Sequence, residues 1–381
     1  MSAHDPESAP SATPAVPSFY CPIPFAVHPG HEQLTQASIG WLERYELFGS
    51  ERQYLRLTRS MPGLLAALAH PRGTDEGLRL ASDFLMWLYA FDDEYCEEGP
   101  LARRPGDLVA TLRRLLRAVE VPESDAFDRD RYAAALRDIA VRLAGCASPA
   151  QTSRWADALR AYFLDQVWCA QLRVRGVVPS LPDYLLMRLA NGSMGVTTAL
   201  CDVVDGLELS PGEFGSPRVR ALREMTCALV GWDNDIISYE KERRRVGDGQ
   251  NLLDVLARDH RCARPQALAT ALALRDCVMR RFVGLLEEVK GGAGPQLRAY
   301  VDGLASWIRA NLEWGQICER YLDVEGTAAE LAVPVRDLPR SGLIGVYTAT
   351  PSPSAPERLH IPAVSWWWDA FEFPEQRSPA H

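Results

Sequence analysis

The sequence predicts an all-α protein, and three observations carry the prediction. Between about Glu32 and Tyr321 the apolar residues recur with a period near 3.6, strand-like alternation is nearly absent, and Pro/Gly breaks divide the chain into segments of helical length. Helices are expected over 32–48 and 51–69, the second closed by Pro71-Arg72-Gly73. The next, 75–97, holds an almost uninterrupted apolar run, Phe84 to Phe91, and stops at Gly99-Pro100. Helices 106–119 and 127–145 lie on either side of Pro122, and Pro149 separates the latter from 151–173. Gly176 to Pro182 leads into 182–206, and Pro211-Gly212 into 217–243. Helices 250–259 and 264–290 follow, and Gly291 to Pro295 introduces 295–322. No internal repeat is detectable, so the expectation is a single helical bundle.

Composition narrows the function classes. At 381 residues, 47% hydrophobic and 24% charged, the chain can bury a large core. A formal charge of −9, with arginines dispersed among acids, argues against a nucleic-acid partner. Nine cysteines without a C-x-x-C pair read as buried thiols of a reducing compartment. No stretch approaches the roughly 18 apolar residues that a bilayer span needs, and the Ser/Ala/Pro-rich start lacks an h-region, so a cytoplasmic protein is expected. Three regions are expected: 1–17 disordered, 18–322 helical, and 323–381 an irregular Pro-rich tail. That tail carries Trp366-Trp367-Trp368, Phe371 and Phe373, which are expected to dock on the helical body, near a cavity mouth or as plain surface packing.

The functional signal is the acidic run Asp92-Asp93-Glu94-Tyr95-Cys96-Glu97-Glu98 behind the apolar run. Acids at the rim of an apolar cavity repel one another unless a cation sits among them. On an α-helix Asp93 and Glu97 share a face, with Asp92 one step round. The plainer alternative is a solvated helix end. A second segment weighs against it: in Trp232-Asp233-Asn234-Asp235-Ile236-Ile237-Ser238-Tyr239-Glu240-Lys241-Glu242, Asn234, Ser238 and Glu242 fall at i, i+4 and i+8. They offer three hard oxygen donors suited to Mg²⁺, with too little charge to complete its octahedron without an anionic ligand. Lys241 lies near the same face and offers that anion a cation.

With these residues in view the chain resembles the bacterial class I terpene synthases. Asp92, Asp93 and Glu97 match their aspartate-rich motif, and Asn234, Asp235, Ser238, Lys241 and Glu242 match every defined position of their N-D-x-x-S-x-x-K-E motif. Arg188, 46 residues before Asn234, resembles their pyrophosphate-sensing arginine; Asn191 stands at the linker position, where an acid is commoner, and Gly192 at the effector position. Arg320-Tyr321 resembles their C-terminal Arg-Tyr pair. The likeness covers about residues 18 to 322, and Phe19-Tyr20-Cys21-Pro22 looks like the branch containing 2-methylisoborneol synthase. The resemblance implies a class I terpenoid synthase-type bundle around an apolar cavity. It implies three Mg²⁺ ions held by Asp92, Asp93 and Glu97 and by Asn234, Ser238 and Glu242. Arg188, Lys241, Arg320 and Tyr321 would bind the diphosphate of a geranyl, methylated geranyl or farnesyl substrate, whose carbocation then cyclises. A homodimer is compatible with this reading.

A carbocation calls for an apolar, aromatic cavity. Phe84, Trp87, Leu88 and Phe91 on the first motif helix are candidates, and so are Trp307, Asn311, Trp314, Cys318 and Tyr321 on the last; plain core packing is the alternative. Two rival functions remain. A chain-elongating prenyl synthase would carry a second aspartate-rich repeat where Asn, Ser and Glu stand here. A non-catalytic helical protein binding Ca²⁺ or a basic partner would have no use for Arg188.

Overall fold

Prolines and capping side chains set the element boundaries. The computed structural model describes residues 17–97, 99–245, 247–318 and 347–369, with the side chains of Glu240, Lys241, Arg244 and Arg245 outside the description. After α1 (His31–Arg44), the expected 51–69 helix is two, α2 (Glu51–Thr58) and α3 (Pro62–Ala69). Pro62 cannot sit inside a helix, so Met61 takes a left-handed conformation (φ 49°) and Pro62 opens the new helix. Thr74 caps α4 (Asp75–Phe91), its Oγ1 accepting from the Gly77 N–H at 3.1 Å. Then come α5 (Pro105–Glu120), α6 (Arg131–Cys146) and α7 (Pro149–Arg175), the last opened by a reciprocal cap between Ser148 and Gln151.

The expected 182–206 helix is three pieces, α8 (Leu181–Asn191), α9 (Met194–Thr198) and α10 (Cys201–Val204). The first break is at Gly192-Ser193, where Ser193 has φ 60°. Beyond α11 (Pro211–Gly215) the long helices α12 (Pro217–Arg245), α14 (Arg264–Gly292) and α15 (Pro295–Ile317) form the second half of the bundle, with α13 (Leu252–Asp259) between the first two. α12 packs on α14, α15, α8 and α9; α3 joins α15 to α4; α7 lies against α5, α8 and α9. The all-α prediction holds, and α3, α4, α7, α8, α9, α12 and α15 leave a cavity between them. Among the described residues no helix is long and apolar enough to cross a membrane.

The two ends of the described chain meet. β1 (Phe19–Tyr20) pairs in parallel with β2 (Tyr347–Thr348), a contact between segments so distant that no local pattern announces it. Trp367 is fully buried; its Nε1 donates to Glu224 on α12 at 2.9 Å, and its carbonyl accepts from Arg281 Nε on α14 at 2.8 Å. Burial of one such indole is worth about 3 kcal/mol. Residues 1–16, Arg320, Tyr321, Phe371 and Phe373 lie outside the described residues.

Candidate active site

The first acidic motif does not continue α4 as an α-helix. Residues Asp92–Glu97 form a π-helical turn. Its i→i+5 bonding widens the turn and changes which side chains share a face. Asp92, Cys96 and Glu97 open onto the cavity, while Asp93 is turned into the protein against Arg56 (3.4 Å). The expected pairing of Asp93 with Glu97 is therefore replaced by Asp92 with Glu97. Glu94 is held by Arg131 (2.7 and 2.9 Å) and by the Tyr132 hydroxyl (2.7 Å), so part of the acidic run is structural.

α12 supplies the opposite wall as a regular helix. Asn234, Asp235 and Glu242 line the cavity. Ser238 is buried; its Oγ donates to the Asn234 carbonyl at 2.7 Å and is bonded to Glu242. Asn251, which caps α13, donates its Nδ2 to Glu242 Oε2 and to the Asp235 carbonyl, both at 2.9 Å. Asp235 is clasped by Arg188 (2.6 Å), the Tyr184 hydroxyl and the Leu252 N–H (2.9 Å). Burial pushes the Asp235 carboxyl up, and Arg188 opposes that shift.

Arg188 sits near the end of α8. Its Nη2 also reaches the Gly231 carbonyl (3.1 Å) and Asn234 Oδ1 (3.4 Å), and its Nη1 reaches Asn191 Oδ1 (3.3 Å). A Cβ at Gly231 would stand 3.2 Å from Arg188 Nε, so the glycine makes room for the guanidinium. Asn191 does what an acid could not: it accepts from Arg188 and donates Nδ2 to Cys169 Sγ at 3.2 Å. Gln166 donates to the Asn191 carbonyl (3.0 Å), holding the chain at the break where Gly192 lines the cavity.

Side chains that sequence reasoning missed complete the rim. Arg173, at the end of α7, donates Nε to Asp248 (2.7 Å) and Nη1 to the carbonyls of Cys96 (2.9 Å) and Ala102 (3.0 Å). It thereby ties the first motif to the loop after the second. Nothing local in the sequence distinguishes it from other arginines.

The cavity, about 190 Å³, has its polar groups at this end and an apolar body lined by Leu65, Leu85, Leu88, Tyr89, Tyr162, Met194, Thr197, Val230, Trp307, Asn311 and Trp314. Tyr89 and Trp314 stack at 5.7 Å, and Trp307 meets the edge of His70 at 5.6 Å. Of the expected wall residues, Leu88, Trp307, Asn311 and Trp314 lie here. Phe84, Trp87 and Phe91 do not. They form a stack on the far side of α4, with Trp87 4.7 Å from Phe91 and its Nε1 donating to the Tyr132 carbonyl. The register explains this, because positions seven, four and three before Asp92 are Leu85, Leu88 and Tyr89. Cys318 is buried beside the Ser60 carbonyl, away from the lining. The Lys241 side chain, Arg320 and Tyr321 are outside the described residues.

The donor set fits a divalent cation with an anion beside it. Burial, then the Asp235 and Glu97 carboxylates, push Glu242 up to about 7. Acids of both motif segments therefore feel one another across the cavity, a repulsion that a bound cation would reverse. Arg188 lines the cavity beside Asn234 and Gly192, and its Nε is buried without an acceptor among the described residues.

Residues 83–281 match the terpene synthase family 2, C-terminal metal-binding domain. The chain is 34% identical, over 94% of its length and 98% of the relative's, to the (+)-(1(10)E,4E,6S,7R)-germacradien-6-ol synthase of Streptomyces pratensis. It belongs to the bacterial class I terpene synthases. This terpene synthase is also 38% identical to a (2E,6E)-farnesyl diphosphate cyclizing (+)-T-muurolol synthase of Streptomyces clavuligerus, over 92% of this chain and 81% of that one. Its fold is similar to the crystal structure of the SVS_A2 protein from ancestral sequence reconstruction (TM-score 0.79, 30% identity, 93% of this chain and 98% of that chain). The narrower expectation of the 2-methylisoborneol synthase branch finds no support among these relatives. As a terpene synthase it is a cyclase of the lyase class with a metal-binding domain.

Proposed function

We propose that this terpene synthase ionises and cyclises farnesyl diphosphate with Mg²⁺, in three ions, and releases diphosphate. The observation that carries the reading is the meeting of Asp92 and Glu97 with Asn234, Asp235 and Glu242 at one end of an otherwise apolar cavity. The named substrate of the T-muurolol synthase supports a farnesyl chain. Asp92 and Glu97 would hold Mg²⁺ on one wall, and Asn234, Ser238 and Glu242 on the other. When bound, the metal supplies Lewis-acid stabilisation of the leaving diphosphate.

The chain's own groups act around that charge. Arg188 turns its guanidinium toward the diphosphate oxygens while Asp235 and Asn191 keep it oriented, and Lys241, Arg320 and Tyr321 add donors by their resemblance to the family motifs. Losing one such preorganised donor costs about 10²–10³ in rate. Deeper in, the faces of Tyr89, Trp307 and Trp314 stabilise the cation, and the apolar body withholds water from it. Residues 18–322 form the catalytic body and 323–381 the tail of a cytoplasmic enzyme that needs no nucleic-acid partner.

The test is headspace gas chromatography with mass spectrometry on purified protein given Mg²⁺ and, separately, geranyl, 2-methylgeranyl, farnesyl and geranylgeranyl diphosphates. A volatile sesquiterpene from farnesyl diphosphate, absent without Mg²⁺, is expected. A longer diphosphate formed only when isopentenyl diphosphate is added would mean elongation instead.

A further inference from the structure

Asn234 stands between two aspartates, and both are locked. Asp235 is bound on the cavity side by Arg188 and Tyr184. Asp233 points the other way, into a wholly buried ion pair with Arg275 of α14: Nε to Oδ1 is 2.8 Å, Nη2 to Oδ2 is 3.2 Å, and both side chains are 0% exposed. A bidentate pair in a dry interior fixes direction as well as distance. Adjacent helical residues project about a hundred degrees apart, so fixing Asp233 fixes the rotation of α12 and with it the angle at which Asn234 meets the cavity.

The same guanidinium also bonds β1 directly and the 347–369 segment through Asp276. Its Nη1 donates to the Tyr20 carbonyl in β1 and lies 3.3 Å from Asp276 Oδ1. Asp276 Oδ2 in turn accepts from the Ser352 N–H at 2.8 Å, just beyond β2. Breaking a buried ion pair by removing one partner is costly, so the Asp233–Arg275 pair holds its geometry firmly.

Resting on the function proposed above, we infer that Arg275 is a positioning residue for the α12 metal wall, and that the β1 and 347–369 segments act on that wall through it. The experiment compares the parent protein with Arg275→Lys and with the apolar double variant Arg275→Met/Asp233→Leu. It uses calorimetric titration with Mg²⁺ plus inorganic pyrophosphate, thermal unfolding, and the Mg²⁺ and substrate dependence of turnover.

The double variant's affinity for Mg²⁺–pyrophosphate is expected to fall about tenfold, and its melting temperature is expected to fall as well, because the Tyr20 carbonyl and Asp276 lose their donor. Half-saturation by Mg²⁺ should rise in step and the substrate KM should move less. Arg275→Lys keeps the charge but not the fork, and a loss of about threefold is expected. Parent-like affinity in whichever variant is folded would overturn the proposal. A parent protein that binds no Mg²⁺–pyrophosphate would overturn the functional reading on which it rests. Should the double variant unfold, the lysine variant decides alone.

Discussion

The two walls of the cavity present their side-chain oxygens in different ways. The α12 wall is a regular helix in which Arg188, Tyr184 and Leu252 hold Asp235, Asn251 and Ser238 hold Glu242, and Arg275 holds Asp233. The Asp92 wall is one π-helical turn, in which Asp93 and Glu94 serve packing and Asp92 and Glu97 serve the cavity. Identical side chains one residue apart thus have unrelated jobs. An acidic motif read as a string overcounts the carboxylates at the cavity, because local helix geometry decides which of them line it.

The sharpest way to break this comparison is Asp92→Ala against Asp93→Ala. Asp92→Ala should lower turnover by about two to three orders of magnitude, the scale for losing a group that stabilises developing charge, with little change in melting temperature. Asp93→Ala should lower the melting temperature, because it removes a buried ion-pair partner of Arg56, and should reduce turnover far less. Equal loss of turnover in stable variants would erase the distinction.

A smaller effect separates the two faces of α4. Leu88→Ala should change the ratio of products at nearly unchanged Mg²⁺ dependence, since Leu88 borders the apolar body. Phe91→Ala should cost about 3–5 kcal/mol in the aromatic stack with Trp87 and leave the product ratio as it was. Product analysis with thermal unfolding checks both. A new product profile from Phe91→Ala would show that the far stack shapes the cavity.

The smallest expected effect concerns pH. Burial raises Asp165 on α7 from 3.8 to about 6, so the folded state holds this proton more tightly than the unfolded chain. Its contribution therefore falls as pH rises from about 4 through about 6, and is unfavourable above that range. Asp165→Asn should melt higher than the parent at pH 7.5, with the gap closing toward pH 4. A constant gap across that range would show that the carboxyl does not titrate as described.

Much of this was legible in the sequence, for a physical reason. In α12 the i, i+4, i+8 spacing puts Asn234 and Glu242 on the cavity lining, with Ser238 buried and bonded to both, because the helix is regular. Spacing was misleading at Asp93 because a π-helical turn has no signature that periodicity can detect. Pro62 marked a helix start in plain view inside the expected 51–69 helix, and the register of Asp92 pointed to Leu85 and Tyr89 rather than Phe84 and Phe91. Arg173, Arg275 and the β1–β2 pairing were not legible, since each depends on partners brought together only by the fold.

The most direct test of two facing walls is thermal unfolding of the parent protein, Asp92→Ala and Asn234→Ala, each with and without Mg²⁺ plus inorganic pyrophosphate. Saturation at a hundred times Kd would stabilise the parent by about 2.7 kcal/mol and raise its melting temperature by several degrees. The account predicts that rise for the parent and its loss in both variants. A parent-like rise in both variants would contradict it.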